Sequence, residues 1–151
     1  MLDDTNPRST AQIAGHPIHP MLVGFPITFF AATVATDLAF QRTGSSSWAT
    51  ASTWLLGAGL VMAALAALAG LTDFLGERRI RALRPAWLHM IGNVIVVLLE
   101  LANWWTRAHA AAPGVSSTQL LLSVVALLIL LFNGWMGWEM VYRHRVGIAG
   151  R

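Results

Sequence analysis

Four long apolar runs, separated by short polar segments, dominate the pattern of hydrophobic and polar positions along the chain. The runs occupy residues 21–40, 48–75, 87–106 and 120–142. At about 1.5 Å per helical residue, each run is long enough to cross the roughly 30 Å hydrocarbon core of a bilayer. We therefore predict four transmembrane helices, and the short connections between them predict an all-α, antiparallel four-helix bundle.

The segments outside the runs divide the rest of the chain. Residues 1–14 are predicted to be a polar lead-in, residues 15–148 the transmembrane domain and residues 149–151 a tail. With 151 residues in all, four spans leave little for a separate domain. The lead-in carries Asp3 and Asp4 and lacks the basic start of a signal peptide, so we interpret the first run as a retained span.

Composition agrees with a membrane protein and excludes several kinds of chemistry. The chain is 56% hydrophobic and 11% charged, whereas soluble domains are about a quarter charged. It contains no cysteine, which excludes disulfides, thiolate metal sites and a cysteine nucleophile. No nucleophile elbow, phosphate loop or nucleotide fingerprint is present, so the sequence does not predict an enzyme.

The arginines are distributed unevenly between the two sides of the predicted bundle. Of the ten, only Arg42 and Arg107 fall in the loops after the first and third runs. The other eight are Arg8, Arg78, Arg79, Arg81, Arg84, Arg143, Arg145 and Arg151. The positive-inside rule then predicts a multi-pass protein of the bacterial inner membrane with both termini in the cytoplasm. Anionic lipid headgroups, and not nucleic acid, are the expected partners of this charge.

Helical periodicity predicts which faces of two runs turn inward. Small residues share one face of the second run: Ser52, Gly59, Ala63, Ala66 and Gly70, with Asp73 at its end. Polar residues share one face of the third run: His89, Asn93, Glu100, Asn103 and Arg107. Small residues let helices approach closely, and polar groups in a span must face protein or water. Both faces are therefore predicted to lie inside the bundle.

Depth sorts the polar candidates into two groups. His16, His19, Asp73, His89 and Glu139 fall near the predicted cytoplasmic boundary, and Asp37, Glu100 and Asn103 near the outer one. Asp37 and Glu100 either share a proton or pair with Arg42 and Arg107, and we favour the ion pairs. Asp73 and Glu139 either pair with loop arginines, lie among the lipid headgroups, or support a site between the helices.

The segment GHPIHPMLVGFPI contains the sharpest motif. His16 and His19 are three residues apart, so both lie on one face if this turn is helical. The positive end of a helix dipole favours neutral imidazole, the form that ligates a metal or haem iron. The alternative is an interfacial helix entry whose imidazoles bind backbone or headgroups. Pro26 is predicted to kink the first span.

Five segments together resemble the bacterial membrane-protein family called domain of unknown function 2231. They are GHPIHPMLVGFPI, ATDLAF, AGLTDFLG, AWLHMIGNV and NGWMGWEMVYRHRVGI, and the resemblance runs from Gly15 to Ile148. Relatives in this family are joined to Rieske-type or cytochrome c-type domains, so the resemblance implies an electron-transfer setting.

The leading hypothesis is a redox-associated protein that holds a b-type haem near its cytoplasmic face. His89 and one of His16 or His19 are the predicted ligands, and Asn93 or Asp73 would orient a ring. A non-haem metal would instead use His16, His19, His89 and Glu139.

Two other kinds of function remain open from the sequence. One is a non-catalytic membrane subunit or anchor, in which the small-residue face of the second run joins two copies of the chain. The other is proton or small-solute passage along the polar stripe that contains Glu100. The expected partners are the lipid bilayer, a respiratory or other membrane redox protein, and a second copy of the chain.

Overall fold

The computed structural model of the chain describes residues 6–148, and its fold is built almost entirely from helices. The elements are β1 (Gln12–Ile13), β2 (His16–Pro17), α1 (Ile18–Leu22), α2 (Gly24–Thr43), α3 (Ser46–Gly76), α4 (Arg78–Arg81), α5 (Arg84–Ala108), α6 (Ser117–Trp138) and a π-helical turn (Glu139–Arg143). The all-α fold is confirmed, apart from the two-residue strands β1 and β2, which pair antiparallel.

Four helical stretches are long and apolar enough to cross a membrane, as predicted. They are Ile18–Thr43, Ser46–Gly76, Arg84–Ala108 and Ser117–Arg143, and each extends one to three residues beyond the predicted run at both ends. Local chemistry explains some of these ends. Pro85 occupies the first turn of α5, and Ser116 and Gln119 form a reciprocal capping box before α6.

The first span is broken at Val23 into the short helix α1 and the long helix α2. Pro26 has no N–H to donate to the carbonyl of Leu22, so a proline in the first turn of α2 is compatible with a new helix start and not with a continuous helix. The predicted irregularity is therefore present, three residues before the proline itself. The break gives α1 its own packing against α3.

The four spans are arranged in chain order around a square. α2 packs on α3, α3 on α5, α5 on α6, and α6 returns to α2, so that α2 and α5 lie on a diagonal. An apolar layer fills the middle of the bundle and consists of Phe30, Leu56, Ala63, Val96, Ala126 and Leu130. A Cβ at Gly59 would lie 2.6 Å from the Phe30 ring, so the small-residue face of α3 packs inside this chain.

The two ends of the bundle differ in what covers them. The loop end carries the connections at residues 44–45 and 109–116. The terminal end carries residues 6–17, α4 and the π-helical turn, joined by a second apolar cluster around Phe74 and Ile80.

The described part of the lead-in is docked on the terminal end. The Asp73 carboxylate accepts hydrogen bonds from Ser9 Oγ at 2.9 Å, the Thr10 N–H at 2.6 Å and the Ala11 N–H at 2.7 Å. The Gly147 N–H also donates to the Pro7 carbonyl at 2.9 Å. Residues 6–14 therefore form a strap, a feature that the polar composition did not predict. The predicted tail and residues 1–5 lie outside the described residues.

Candidate functional site

Two buried polar clusters lie at opposite ends of the bundle. The loop-end cluster contains Asp37, Ser52, Glu100, Asn103, Arg107 and Ser123, each at most 5% exposed. Its members come from α2, α3, α5 and α6, so every span contributes at least one of them. The predicted inward orientation of the polar stripe on α5 is confirmed at these residues.

An ion pair across the bundle diagonal is the centre of the loop-end cluster. Arg107 Nη1 donates to Asp37 Oδ1 at 2.6 Å, and Nη2 donates to Oδ2 at 2.9 Å. The Oγ atoms of Ser52 and Ser123 also donate to this carboxylate. Arg42, the other predicted partner of the acids, is exposed at the end of α2. Among the described residues, Arg107 forms an ion pair with Asp37 and none with Glu100.

Glu100 occupies the edge of the same cluster with fewer partners. Asn103 Nδ2 donates to Glu100 Oε2 at 3.0 Å, and Asn103 Oδ1 accepts from Arg107 Nε at 3.0 Å. The other carboxyl oxygen, Oε1, is buried without a hydrogen-bond partner. Asn103 therefore connects the two acidic residues through Arg107, and Glu100 remains incompletely paired.

At the terminal end, the rings of His19 and His89 meet between α1 and α5. Their centroids are 6.0 Å apart and their planes are nearly perpendicular, at 86°. His19 Nδ1 lies 2.8 Å from the Ala66 carbonyl of α3, and His89 Nδ1 lies 2.9 Å from the Asn133 carbonyl of α6. Again every span contributes. We call these two residues the histidine pair.

The backbone carbonyls determine which ring nitrogens carry hydrogen. A carbonyl oxygen can only accept, so both Nδ1 atoms are donors, and in the neutral rings both Nε2 atoms keep a lone pair. His89 Nε2 is buried and has no partner. The histidine pair thus presents acceptor nitrogens that the surrounding protein does not fully use.

Glycines make room for both rings. A Cβ at Gly70 would lie 2.9 Å from His19 Nδ1, and a Cβ at Gly137 would lie 3.3 Å from His89 Cε1. The small-residue face of α3 was predicted for close helix contact, and at Gly70 it admits an imidazole instead. Ala66 contributes its main-chain oxygen to the same contact.

The other predicted members of the site lie elsewhere. His16 is exposed in β2, before the helix begins, so the helical turn that would put it on one face with His19 is not formed. The Asp73 carboxylate accepts hydrogen bonds from the strap, and Glu139 forms an ion pair with Arg143 at 2.9 Å. Asn93 Oδ1 accepts from Asn133 Nδ2 at 3.3 Å, and the backbone carbonyl of the same Asn133 binds the His89 ring.

The structure does not assemble the predicted non-haem metal site. Within residues 6–148 no three His, Asp or Glu side chains are grouped closely enough to hold a metal ion. The apolar layer around Val96 also separates Glu100 from His89 along α5. This apolar layer therefore divides the polar stripe of α5 into two clusters.

The sequence analysis assigned no role to Ser123 and Asn133 of α6. Ser123 binds the Asp37 carboxylate, and Asn133 holds the His89 ring and Asn93. These two residues are ten positions apart, with the buried Ala126 and Leu130 between them on one helical face. That spacing was a usable signal, because polar residues on the buried face of a span need a partner.

Comparison with known proteins identifies the family. Over residues 15–150 the chain matches the family described as "Predicted membrane protein (DUF2231)". The chain belongs to this family. The resemblance read from the sequence is thereby confirmed, and DUF2231 membership agrees with the four long apolar helices. No curated protein and no solved structure matches the chain.

Proposed function

We propose that this chain binds a b-type haem through His19 and His89 and takes part in electron transfer in the bacterial inner membrane. The observation that carries this proposal is the meeting of two imidazoles from different helices, 6.0 Å apart, with His89 Nε2 buried and unpartnered. A helical bundle often holds its cofactor between side chains on facing helices.

The histidine pair has the hydrogen bonds expected of metal-ligating imidazoles. Each Nδ1–H is bound to a backbone carbonyl, the arrangement that commonly orients a metal-ligating histidine and leaves Nε2 for the metal. His19 and His89 would hold the iron of a haem, which would supply one-electron transfer.

The test is the colour and iron content of the purified protein. We expect wild type, produced with ample haem, to absorb strongly in the Soret region and to contain iron. His19→Ala and His89→Ala should each lose both signals, while His16→Ala, a change of an exposed histidine, should keep them. A wild type that is colourless and iron-free would contradict the proposal.

The proposed orientation has both termini in the cytoplasm, supported by the concentration of arginines at the terminal end. Because the chain has no cysteine, single cysteines are unique probes. Ser46→Cys and Ser117→Cys should react with an impermeant thiol reagent in intact cells, and Arg81→Cys should not. Labelling of Arg81→Cys with protection of the other two would reverse the orientation.

A second candidate is a non-catalytic membrane subunit or anchor. The Asp37–Arg107 pair, hydrogen-bonded to Ser52 and Ser123, links all four spans and favours a structural role for polar groups in this bundle. The expected dimer contact through the small-residue face is not part of this candidate, because Ala63 is buried within the chain. A colourless wild type with an intact fold would favour the anchor.

A further inference from the structure

The loop-end cluster contains more acid than base. Asp37 and Glu100 are two carboxyl groups, and Arg107 is the buried cation that pairs with Asp37. Within the described chain, the other groups that hydrogen-bond to these three are the uncharged Ser52, Asn103, Ser123 and the Gln119 carbonyl. The charge of one of the two carboxylates is therefore not balanced inside the cluster.

The hydrogen bonds show which of the two acids forms the ion pair with Arg107. Asp37 receives a bidentate pair from Arg107 and one hydroxyl on each oxygen, which is the pattern expected of an ionised carboxylate. Glu100 receives one amide donor on Oε2 and none on Oε1, although its side chain is fully buried. An anion with so few partners inside a lipid-embedded bundle is strongly disfavoured relative to its neutral form.

We propose that Glu100 binds an exchangeable proton, so that the loop-end cluster is a proton-binding site with Asp37 and Arg107 as its fixed ion pair. Protonation of Glu100 removes the surplus charge and adds no heavy atom to the packed site. The ligand that we propose is therefore a proton. This site is separate from the histidine pair and does not depend on haem.

The surroundings of the cluster make access one-sided. An open cavity of about 240 Å³ at the loop end is lined by Thr50, Thr53, Trp54, Arg107 and residues 108 and 110–113. Arg107 thus lines this cavity and also binds the Asp37 carboxylate. On the other side the apolar layer around Val96 closes the path to the terminal end. Protons should therefore enter from the loop end only.

Infrared spectroscopy of the purified protein tests proton binding directly. Wild type near neutral pH should show the carbonyl stretch of a buried protonated carboxyl, shifted by exchange into D₂O. Glu100→Gln should lose this band while keeping the wild-type melting temperature, because the amide is the neutral isostere. Glu139→Gln, which changes an acid in an ion pair at the other end, should keep the band. A wild-type spectrum without a band that Glu100→Gln removes would overturn the proposal.

A second measurement tests the route of entry. Thr50→Trp, or Ala111→Trp if the first does not fold, should fill the cavity and slow the D₂O shift of the Glu100 band severalfold. Thr28→Trp, on the exposed face of α2, should leave the rate unchanged. An unchanged rate in a folded cavity-filling variant would exclude entry through this cavity.

Discussion

The two ends of the bundle hold their buried polar groups with different kinds of hydrogen bond. At the loop end, side chains from all four spans hydrogen-bond one another around the Asp37–Arg107 ion pair, and Glu100 Oε1 at the edge of the cluster has no partner. At the terminal end, backbone carbonyls of Ala66 and Asn133 hold the two imidazoles, and His89 Nε2 has no partner. The first arrangement joins the helices firmly, whereas the second holds rings in position and keeps a nitrogen available.

This difference predicts unequal consequences of mutation. Loss of one member of a buried ion pair leaves an uncompensated charge, which is among the most costly events in a protein interior. Loss of an imidazole bound to the Ala66 or Asn133 carbonyl costs less, because each of these oxygens lies inside a helix and keeps its helical hydrogen bond. Mutations at the loop end should therefore have the larger effect on the free energy of unfolding, and mutations at the terminal end the larger effect on ligand binding.

The largest effect is expected at the ion pair. Asp37→Ala should lower the free energy of unfolding by about 3 to 5 kcal/mol, because Arg107 is left buried without its counter-charge. Thermal unfolding in detergent measures this loss. Replacing Glu139, whose ion-pair partner Arg143 is exposed, should change stability by less than about 1 kcal/mol. Equal losses in the two variants would contradict the contrast between the ends.

A smaller and local effect is expected at the strap. Asp73→Ala removes the acceptor of the Thr10 and Ala11 N–H groups, and bonds to a charged acceptor are worth about 1.5 to 3 kcal/mol. Amide hydrogen exchange at residues 9–11 should accelerate while the spans stay protected. Asp73→Asn keeps a carbonyl oxygen and should restore part of the protection. Unchanged exchange in Asp73→Ala would show that the strap does not depend on this carboxylate.

Crowding of the histidine pair should lower the free energy of unfolding slightly less than loss of the Asp73 carboxylate. Gly70→Leu drives a side chain into the His19 ring, and overpacking of this kind typically costs about 1 to 3 kcal/mol. Gly134→Leu is the matched control, because a Cβ at Gly134 meets no atom within 4 Å. Equal melting temperatures for the two variants would show that Gly70 is not a close contact.

The smallest effect on the bare protein is expected at the histidines themselves. His89→Ala removes one hydrogen bond to the Asn133 carbonyl and should cost about 1 kcal/mol, compared in the haem-free form. His16→Ala, at an exposed position, should be neutral. A loss in His89→Ala as large as that in Asp37→Ala would erase the distinction between the two ends.

Much of the polar interior could be predicted from helical spacing, but its pairing could not. The stripe with Glu100, Asn103 and Arg107 faces inward because a lipid-exposed stripe of this kind is too costly. Which acid Arg107 contacts depends on the diagonal arrangement of α2 and α5, which no local pattern encodes. For the same reason, the docking of residues 9–11 on Asp73 was not foreseen.

The sequence by itself determined the four spans, the membrane setting and the inward faces, because apolar length and helical periodicity are properties of each segment alone. Only the tertiary structure decided that His19, and not His16, meets His89, since a two-residue strand delays the helix start until Ile18. It also decided that Arg107 crosses the bundle to Asp37 and leaves Glu100 with one donor. Contacts between residues far apart in the chain depend on how whole helices pack, and that packing is a property of the bundle and not of any one run.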